Sequence, residues 1–495
     1  MHLLQKSKLE IIVFISGAVV MILEIVGSRI YAPYLGASIY VWTSLIGMIM
    51  GSLSVGYYYG GKLADKSADY KTLSVIIFLA GCFIFLTNII KNLVLFSAIT
   101  LYPDPKSASI FAGFFLFVIP GILLGMVSPY AVKLRLISLS NSASTVGNLY
   151  AISTVGSIFG TFIAGFYLIS LFGTTTVVYI LSVIMIVLSV FAYPKDRISL
   201  KIPLLFICVI LSINRKDIFM VDIKNMVDVD TRYNRVWIFD GVDKESNRPV
   251  KSMILNKQNA SAIFIDGSSG LVYEYNKYFN LAGFFKPNLG SALLVGGAAY
   301  TYPREFLKKF PQATLDVVEI DPELAVLAKK YFGLQDNDRM SIYPEDGRVF
   351  LNNTEKKYDA VLLDVFNSYV SMPFQLTTVE AVQKIYNMLN NNGVVVTNIV
   401  SSIEGRSSRF YVEEFNTYKN VFPHVYVFKV KSDANNIMQN LILVGVKRND
   451  GLVLESQDLE DNSMLKNRIV GPELDERKIL TDDYAPVESF FSPVL

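Results

Sequence analysis

The 495-residue chain has very few of the side chains that bind transition metals or form crosslinks. It contains two cysteines, Cys82 and Cys208, and two histidines, His2 and His424. Both cysteines lie in apolar segments without a ligand or redox spacing, so we expect inert packing residues and no disulfide framework. Two histidines cannot build a histidine-based metal centre. We therefore predict chemistry that requires no metal.

Charge is also scarce and uneven. Charged residues make up 18% of the chain, and the formal net charge is +2. The basic residues are dispersed rather than gathered into a stripe, which gives no case for a nucleic-acid partner. Residues 9–60 carry few charges, whereas residues 214–495 have the composition of an ordinary soluble sequence. This contrast predicts a membrane part followed by a soluble part.

Long apolar segments account for the contrast. Hydrophobic residues make up 52% of the chain, and its mean hydropathy is +0.40. A membrane-spanning helix needs about 20 apolar residues, and six segments qualify: 9–31, 38–60, 72–97, 108–132, 145–169 and 172–193. A seventh, 202–213, is of borderline length and fits either a short span or an interfacial helix. The first segment is long and no small-residue cleavage site follows it, so we expect no cleavable signal peptide.

Basic residues near these segments favour one orientation. They precede the first segment and follow the second, fourth and sixth: Lys6, Lys8, Lys62, Lys66, Lys71, Lys133, Arg135, Lys195, Arg197 and Lys201. The positive-inside rule then predicts a cytoplasmic N-terminus. Six spans would leave the C-terminal part in the cytoplasm, whereas seven would place it outside.

Two features interrupt the apolar segments. Glu24 lies deep in the first one, with Arg29 five residues further on. An intramembrane carboxylate is a candidate functional group, and a structural ion pair or cap is the alternative. Gly156 and Gly160, extended by Gly165, form a small-residue face that we expect to pack helices rather than bind a ligand.

The soluble part begins with β-like sequence. Three short β-rich runs lie at 235–239, 252–255 and 262–265. Asp-Gly follows the first and the last of them. Such runs predict a small antiparallel domain. We place the domain boundaries at 1–215 for the helical bundle, 216–282 for the β domain and 283–495 for an α/β domain.

Successive apolar strands of the α/β domain end in glycine or acidic residues. Residues 292–295 run into Gly296 and Gly297, 315–318 run into Glu319, a third strand ends near Asp346 and Gly347, and 360–363 run into Asp364. Parallel sheets hold a nucleoside at this edge. The paired glycines allow close backbone approach, and Glu319 is placed to accept both ribose hydroxyls.

Two of these acids keep alternatives open. Glu319 is otherwise a solvated strand-end acid, although its spacing of about 20 residues from the glycines favours ribose. Asp346 can accept a hydrogen bond from an adenine amino group, or it can cap the helix that Asp346-Gly347-Arg348 would begin. Asp364 faces the place of a second substrate, where it could act as a base or hold an amine. A structural role is the less favoured alternative.

These motifs resemble those of the polyamine aminopropyltransferases, the spermidine synthase family, over residues 230 to about 400. The resemblance rests on Val318-Glu319-Ile320-Asp321-Pro322, on Glu345-Asp346-Gly347-Arg348, on 358–364 and on 392–397. Residues 10–190 resemble the membrane region of fused, membrane-bound relatives, for example at 24–29, 32–36 and 147–151.

The resemblance implies a class I methyltransferase-like, Rossmann-like fold and a role in polyamine biosynthesis. It implies that Glu319 binds ribose, that Asp346 binds adenine and that Asp364 helps to deprotonate the attacking amine. The cofactor would be decarboxylated S-adenosylmethionine or S-adenosylmethionine. Because such a nucleoside is cytoplasmic, six spans and a cytoplasmic soluble domain are favoured, in a multi-pass protein of the cell membrane. The oligomeric state, including a homodimer, stays open.

The chain departs from the family pattern at the amine site. Soluble synthases carry Gly-Gly-Gly-Asp-Gly-Gly where this chain has 296–301, so Ala299 replaces the aspartate that anchors the aminopropyl ammonium. Asn367 replaces a second acid, and Tyr233 with Asn234 replaces the Tyr-Gln pair of the β domain. We assign Tyr233 and Asn367 to substrate binding. Losing two carboxylates weakens the attraction for cationic amines.

The sequence therefore predicts a membrane-bound transferase that moves an alkyl group, aminopropyl in the family, from a sulfonium nucleoside to a nucleophilic acceptor. Two alternatives remain. One is an S-adenosylmethionine-dependent methyltransferase with a non-polyamine acceptor. The other is a transporter-like bundle with a nucleoside-sensing domain that does not turn over.

Overall fold

The protein divides into two compact units, residues 1–222 and 223–495. The structure is a computed structural model, and it describes residues 7–36, 38–102, 104–136, 142–194, 226–256, 258–366, 372–431, 434–450, 452–473, 475 and 478–491. The seventh apolar segment, Cys208 and Asn367 lie outside the described residues. The choice between six and seven spans therefore stays a prediction.

The first unit contains six long helices within its described residues, each long and apolar enough to cross a membrane. They are α1 Lys8–Leu35, α2 Ile39–Lys66, α3 Tyr70–Leu101, α4 Pro105–Arg135, α5 Ser142–Ile163 and α6 Thr174–Ala192. Helix α5 continues through a π-helical turn, Ala164–Leu168, and a last turn, Ile169–Phe172. The prediction of six apolar helices is confirmed.

Local capping explains where several of these helices begin. The side chains of Ser38, Asp69 and Asp104 each accept a hydrogen bond from a backbone N–H in the first turn of α2, α3 and α4. Such caps satisfy N–H groups that have no partner inside the helix. Pro105 occupies the first position of α4, where its missing N–H costs nothing.

The small-residue face of α5 packs against α1. A Cβ atom at Gly156 would lie 2.1 Å from the carbonyl oxygen of Phe14, and one at Gly160 would lie 2.4 Å from that of Ala18. Only glycine permits this approach of the two backbones. The predicted extension to Gly165 is wrong, because a Cβ atom there would meet nothing within 4 Å.

The second unit contains two sheets. The smaller one is antiparallel with strand order β1-β2-β3-β4, and the larger one has the order β12-β10-β11-β9-β8-β5-β6-β7. The strands are β1 Val227–Asp230, β2 Arg235–Val242, β3 Pro249–Leu255, β4 Gln258–Phe264, β5 Ser291–Val295, β6 Thr314–Val318, β7 Met340–Tyr343, β8 Tyr358–Phe366, β9 Leu389–Ser401, β10 His424–Lys429, β11 Gln439–Val446 and β12 Arg468–Ile469.

Helices connect and cover the strands of the larger sheet. They are α7 Glu274–Lys277, α8 Leu281–Phe285, α9 Thr301–Lys309, α10 Pro322–Tyr331, α11 Gly347–Asn353, α12 Val379–Met388, α13 Arg409–Lys419 and α14 Leu459–Lys466. Strands β7, β6, β5, β8 and β9 are mutually parallel, and β11, β10 and β12 are antiparallel to their neighbours. This mixed sheet confirms the predicted class I methyltransferase-like α/β domain.

Strand β5 shows why the central strands are apolar throughout. Successive side chains of a strand point to opposite faces of the sheet. Leu294 belongs to the hydrophobic cluster on one face with Phe306, and Leu293 belongs to the cluster on the other face with Phe350. Apolar side chains therefore cover both faces of this strand.

Candidate functional site

The register of the parallel strands aligns their carboxyl ends. Val295 is paired with Val318 and with Leu363, and Leu363 is paired with Thr397. The next residues along these strands, Gly296, Glu319, Asp364 and Asn398, therefore follow the same edge. The chain leaves β5 towards β6 on one side, whereas β8 and β9 lie on the other. Ligands of open α/β sheets bind in the crevice at such a switch point.

Gly296 makes the turn from β5 into this crevice. Its φ is +95°, a conformation that L side chains rarely adopt. A Cβ atom at Gly296 would also lie 2.5 Å from the carbonyl oxygen of Asp364. Glycine is thus required both by the backbone conformation and by the neighbouring strand end. Gly297 follows with the Tyr300 ring beside it, 3.0 Å from where a Cβ atom would be.

Glu319 is held by backbone amides. The N–H groups of Gly297 and Ala298 donate to its Oε2 at 2.8 and 3.1 Å, and the N–H of Asp321 donates to its Oε1 at 3.0 Å. The residue is only 8% exposed. Burial raises the pKa of the Glu319 carboxyl, and the three N–H donors act in the opposite direction.

These contacts limit what Glu319 can do for a ligand. A carboxylate offers about four lone-pair sites, and three of them face the glycine turn and the start of α10. One site remains for a ribose hydroxyl unless the Gly297 and Ala298 amides move. Glu319 thus fixes the turn that follows β5, a role in addition to the predicted ribose contact.

Asp346 caps α11, as one of its two interpretations predicts. The N–H groups of Arg348 and Val349 both donate to its Oδ1, at 2.9 and 3.1 Å. Oδ2 accepts no hydrogen bond from the residues that the structure describes, so the cap leaves one oxygen available for an amino group. A Cβ atom at Gly347 would lie 2.7 Å from Val295 Cγ1, which ties this turn to the end of β5.

A C-terminal segment that includes Asp482 contacts the residues around the same turn. Arg348 donates to both carboxylate oxygens of Asp482, through Nη2 at 2.6 Å and Nη1 at 3.0 Å. Thr378 donates to Asp482 as well, at 2.7 Å. Two parallel N–H bonds to one carboxylate fix geometry better than a single contact. The C-terminal segment therefore packs beside the Asp346 turn.

Asp364, within β8, has side-chain partners. The Tyr275 hydroxyl donates to its Oδ2 at 3.4 Å, and the Asn398 amide donates to its Oδ1 at 3.2 Å. Asn440 in turn donates to Asn398 Oδ1 at 2.9 Å. Strands β8, β9 and β11 together with α7 thus orient one carboxylate at the switch point.

The residues that depart from the family pattern have different environments. Ala299 is 0% exposed and belongs to an apolar cluster with Val236 and Met253 of the smaller sheet. Tyr233 is 44% exposed at a turn of that sheet. Asn234 donates to Asp321 at 2.9 Å. The smaller sheet therefore contacts the turn after β6. The substrate-binding role of Tyr233 stays a prediction.

The partners of Asp364 were missed from the sequence. Tyr275 belongs to the aromatic run 273–279, which precedes the first strand of the α/β domain and carries no strand-end signal. Asn398 follows the apolar residues 394–396 in β9, so the strand-end rule that found Glu319 and Asp364 could also have found it. The described residues contain no group of three or more His, Cys, Asp or Glu side chains positioned to hold a metal ion.

Comparison with known proteins finds a matching family model and similar proteins for part of this chain. Residues 275–439 match the family model of the spermine/spermidine synthase domain. The polyamine aminopropyltransferase of Vibrio vulnificus is 30% identical over 183 residues, which cover 36% of this chain and 59% of that protein. The eEF1A lysine and N-terminal methyltransferase of Xenopus laevis is 28% identical over 211 residues, which cover 39% of this chain and 29% of that protein.

The solved structures add a similar chain. Spermidine synthase from Thermotoga maritima is 18% identical, with a TM-score of 0.36, and the similarity covers 45% of this chain and 73% of that one. The chain thus spans only part of its relatives, 59% of the length of the Vibrio protein. On the match of residues 275–439 and the aminopropyltransferase relative, the C-terminal part of this chain carries a spermine/spermidine synthase domain, fused to an N-terminal helical region.

Proposed function

We propose that the second unit transfers an alkyl group, aminopropyl in the first instance, from a sulfonium nucleoside to a nucleophilic acceptor, and that the first unit anchors it in a membrane. The observation that carries the proposal is the shared strand edge. It joins the Gly296 turn, Glu319 and the Asp346 turn on one side of the switch point to Asp364 on the other. Nucleoside and acceptor would thus meet between β5 and β8.

Glu319 and Asp346 would hold the nucleoside. The remaining lone pair of Glu319 suits a ribose hydroxyl, and Asp346 Oδ2 suits the adenine amino group. Both acceptors are held by backbone N–H groups, so little reorganisation is needed when the ligand binds. The Gly296–Gly297 backbone would form the floor of the nucleoside site, because no side chain projects from it.

Asp364 would orient and deprotonate the acceptor. When bound, the sulfonium nucleoside supplies an electrophilic carbon and a neutral thioether leaving group. The acceptor nitrogen forms the new bond to that carbon as the carbon–sulfur bond breaks, and its proton passes to the Asp364 carboxylate. Tyr275 and Asn398 fix the direction of this carboxylate. Proximity and alignment would supply most of the acceleration.

A methyltransferase is the second candidate, and the environment of Ala299 favours it. The position that should offer a carboxylate to an aminopropyl ammonium instead lies in an apolar cluster. A site without that carboxylate gives less selection for the decarboxylated donor. The acceptor would then be a nucleophile other than a polyamine.

Identification of the nucleoside product distinguishes these candidates. Purified full-length protein is incubated separately with labelled S-adenosylmethionine and with its decarboxylated form, with and without amine acceptors. An aminopropyl transfer yields 5′-methylthioadenosine, and a methyl transfer yields S-adenosylhomocysteine. Binding of the decarboxylated donor in the presence of amines without formation of 5′-methylthioadenosine would contradict the aminopropyl-transfer candidate.

The location of the second unit needs its own test. We propose that the unit faces the cytoplasm, because six spans would begin and end there. Cys82 and Cys208 are replaced by alanine, and Asn449→Cys supplies one thiol in the second unit. A membrane-impermeant thiol reagent should then label inverted vesicles but not intact cells. Labelling of intact cells would instead place the unit outside.

A further inference from the structure

Among the six described helices of the first unit, only α1 has an acidic residue in its middle, Glu24. At 1.5 Å per residue it lies about 24 Å from the start of α1 at Lys8 and about 17 Å from its end at Leu35. The hydrocarbon core of a bilayer is about 30 Å thick. If α1 spans a membrane, Glu24 therefore lies well inside that core, where it is half-buried in the bundle.

The described residues provide Glu24 with no counter-charge. No ion pair or hydrogen bond to its carboxyl is formed within them. The other acidic residue of α1, Glu10, is different because it pairs with Arg135 at 2.9 Å. Of the two interpretations of Glu24, the ion pair with Arg29 therefore has no support.

The helices packed against α1 supply no alternative partner. Helices α5 and α6 have no charged residue, and their titratable side chains are Tyr150, Tyr167 and Tyr179. Helices α2, α3 and α4 carry their charged residues in the first turn or the last two turns, apart from Lys91. Lys91 donates to Thr175 Oγ1 of α6 at 2.5 Å.

An irregular turn lies level with Glu24. Phe14 is beside Gly156 and Ala18 is beside Gly160, so α1 and α5 run parallel. Glu24 is six residues beyond Ala18, and Phe166 is six residues beyond Gly160. Phe166 belongs to the π-helical turn Ala164–Leu168, which contacts α1. Single π-helical turns inside α-helices are frequent at functional sites.

An unpaired carboxylate in an apolar medium is costly, and the cost is removed when a cation binds to it. We propose that Glu24, level with the π-helical turn of α5, is a cation-binding carboxyl of the helical unit. It binds a proton or a small alkylammonium ion at a site within the membrane. This proposal is independent of the transferase function. It assigns the helical unit a binding role in addition to anchoring.

A hydrophobic carbodiimide tests the proposal, because it reacts with protonated carboxyls inside membranes. The full-length protein in liposomes is treated at pH values from about 5 to 9, and modified peptides are located by mass spectrometry. Glu24 should be modified at least about tenfold more than ion-paired Glu10, which corresponds to about 1.4 kcal/mol. Modification should fall as pH rises. Glu24→Gln should abolish it, and Glu24→Asp should retain it.

Competition identifies the cation. Protection by an added alkylammonium salt, but not by the same ionic strength of a bulky quaternary salt, indicates an ammonium site. A dependence on pH alone indicates a proton site. Three results would overturn the proposal: no modification of Glu24 at any pH, the same modification in Glu24→Gln, or modification that depends on neither pH nor added cations.

Discussion

The two sides of the switch point hold their carboxylates by different means. Glu319 is held by three backbone N–H groups, whereas the partners shown for Asp364 are the side chains of Tyr275 and Asn398. A backbone donor survives any substitution that preserves the fold, but a side-chain donor can be replaced. The nucleoside side is therefore set by chain geometry, and the acceptor side is where a new specificity can arise.

The variant with the largest expected effect, Asp364→Asn, changes the acceptor side alone. Asp364→Asn keeps the shape of the side chain but cannot accept the proton of the acceptor. We expect turnover to fall roughly 10²–10⁴-fold, the usual contribution of a positioned base, with nucleoside affinity unchanged. Turnover is measured by product formation, and affinity is measured by calorimetry with the nucleoside product.

Asp359→Asn is the matched control on the same strand. Asp359 lies near the other end of β8 and accepts hydrogen bonds from the N–H groups of Gly290 and Ser291. It should affect stability but leave the turnover of the folded protein unchanged. Normal turnover in Asp364→Asn would remove the proposed role of this residue and with it the distinction between the two sides.

Ala299→Asp tests whether the missing amine anchor can simply be restored. The side chain would enter the apolar cluster with Val236 and Met253. An unpaired buried carboxylate costs about 3 kcal/mol or more, so we expect a lower denaturation midpoint and no gain in amine affinity. Ala299→Val, which is also larger but apolar, separates charge from size. A stable Asp variant that binds amines more tightly would contradict the buried environment.

Glu319→Gln should act on the nucleoside side and spare the acceptor side. Glutamine offers one carbonyl oxygen, so at least one of three N–H donors would lose its acceptor, at a cost of about 1–3 kcal/mol. We expect nucleoside affinity to fall about tenfold, with the acceptor KM unchanged. Equal losses for nucleoside and acceptor would mean that the two sides are not separable.

Sequence reasoning found the carboxylates on both sides of this site but not the groups that hold them. The apolar strands and their terminal residues are local patterns, so Gly296, Glu319 and Asp364 could be placed from the chain alone. The partners of Asp364 come from α7, β9 and β11, which only tertiary pairing brings together. The groups that donate to Glu319 are backbone N–H groups, which have no sequence signature. The prediction for Gly165 is wrong for a related reason, because Gly165 lies in the π-helical turn, which the spacing of small residues does not reveal.

Another carboxyl of the same unit sharpens the comparison, because the described residues give it neither kind of partner. Glu414 of α13 is 0% exposed, and neither oxygen has a hydrogen-bond partner in the described part of the chain. Burial raises the pKa of the Glu414 carboxyl well above its ordinary value. The folded state then binds a proton that the unfolded state releases at about pH 4.3.

The sign of the pH dependence follows from linkage. Stability that rests on protonated Glu414 is present below the unfolded pKa and decreases as pH rises towards the raised folded pKa. Glu414→Gln is neutral at every pH and does not lose stability as pH rises, so the variant should be the more stable protein at neutral pH. Hydrogen exchange of residues 409–419 in the full-length protein measures this difference.

The advantage should vanish near pH 4, where Glu414 is neutral in both states. An advantage that does not change with pH would instead indicate better packing, and a loss at neutral pH would mean that the carboxylate is compensated within the fold.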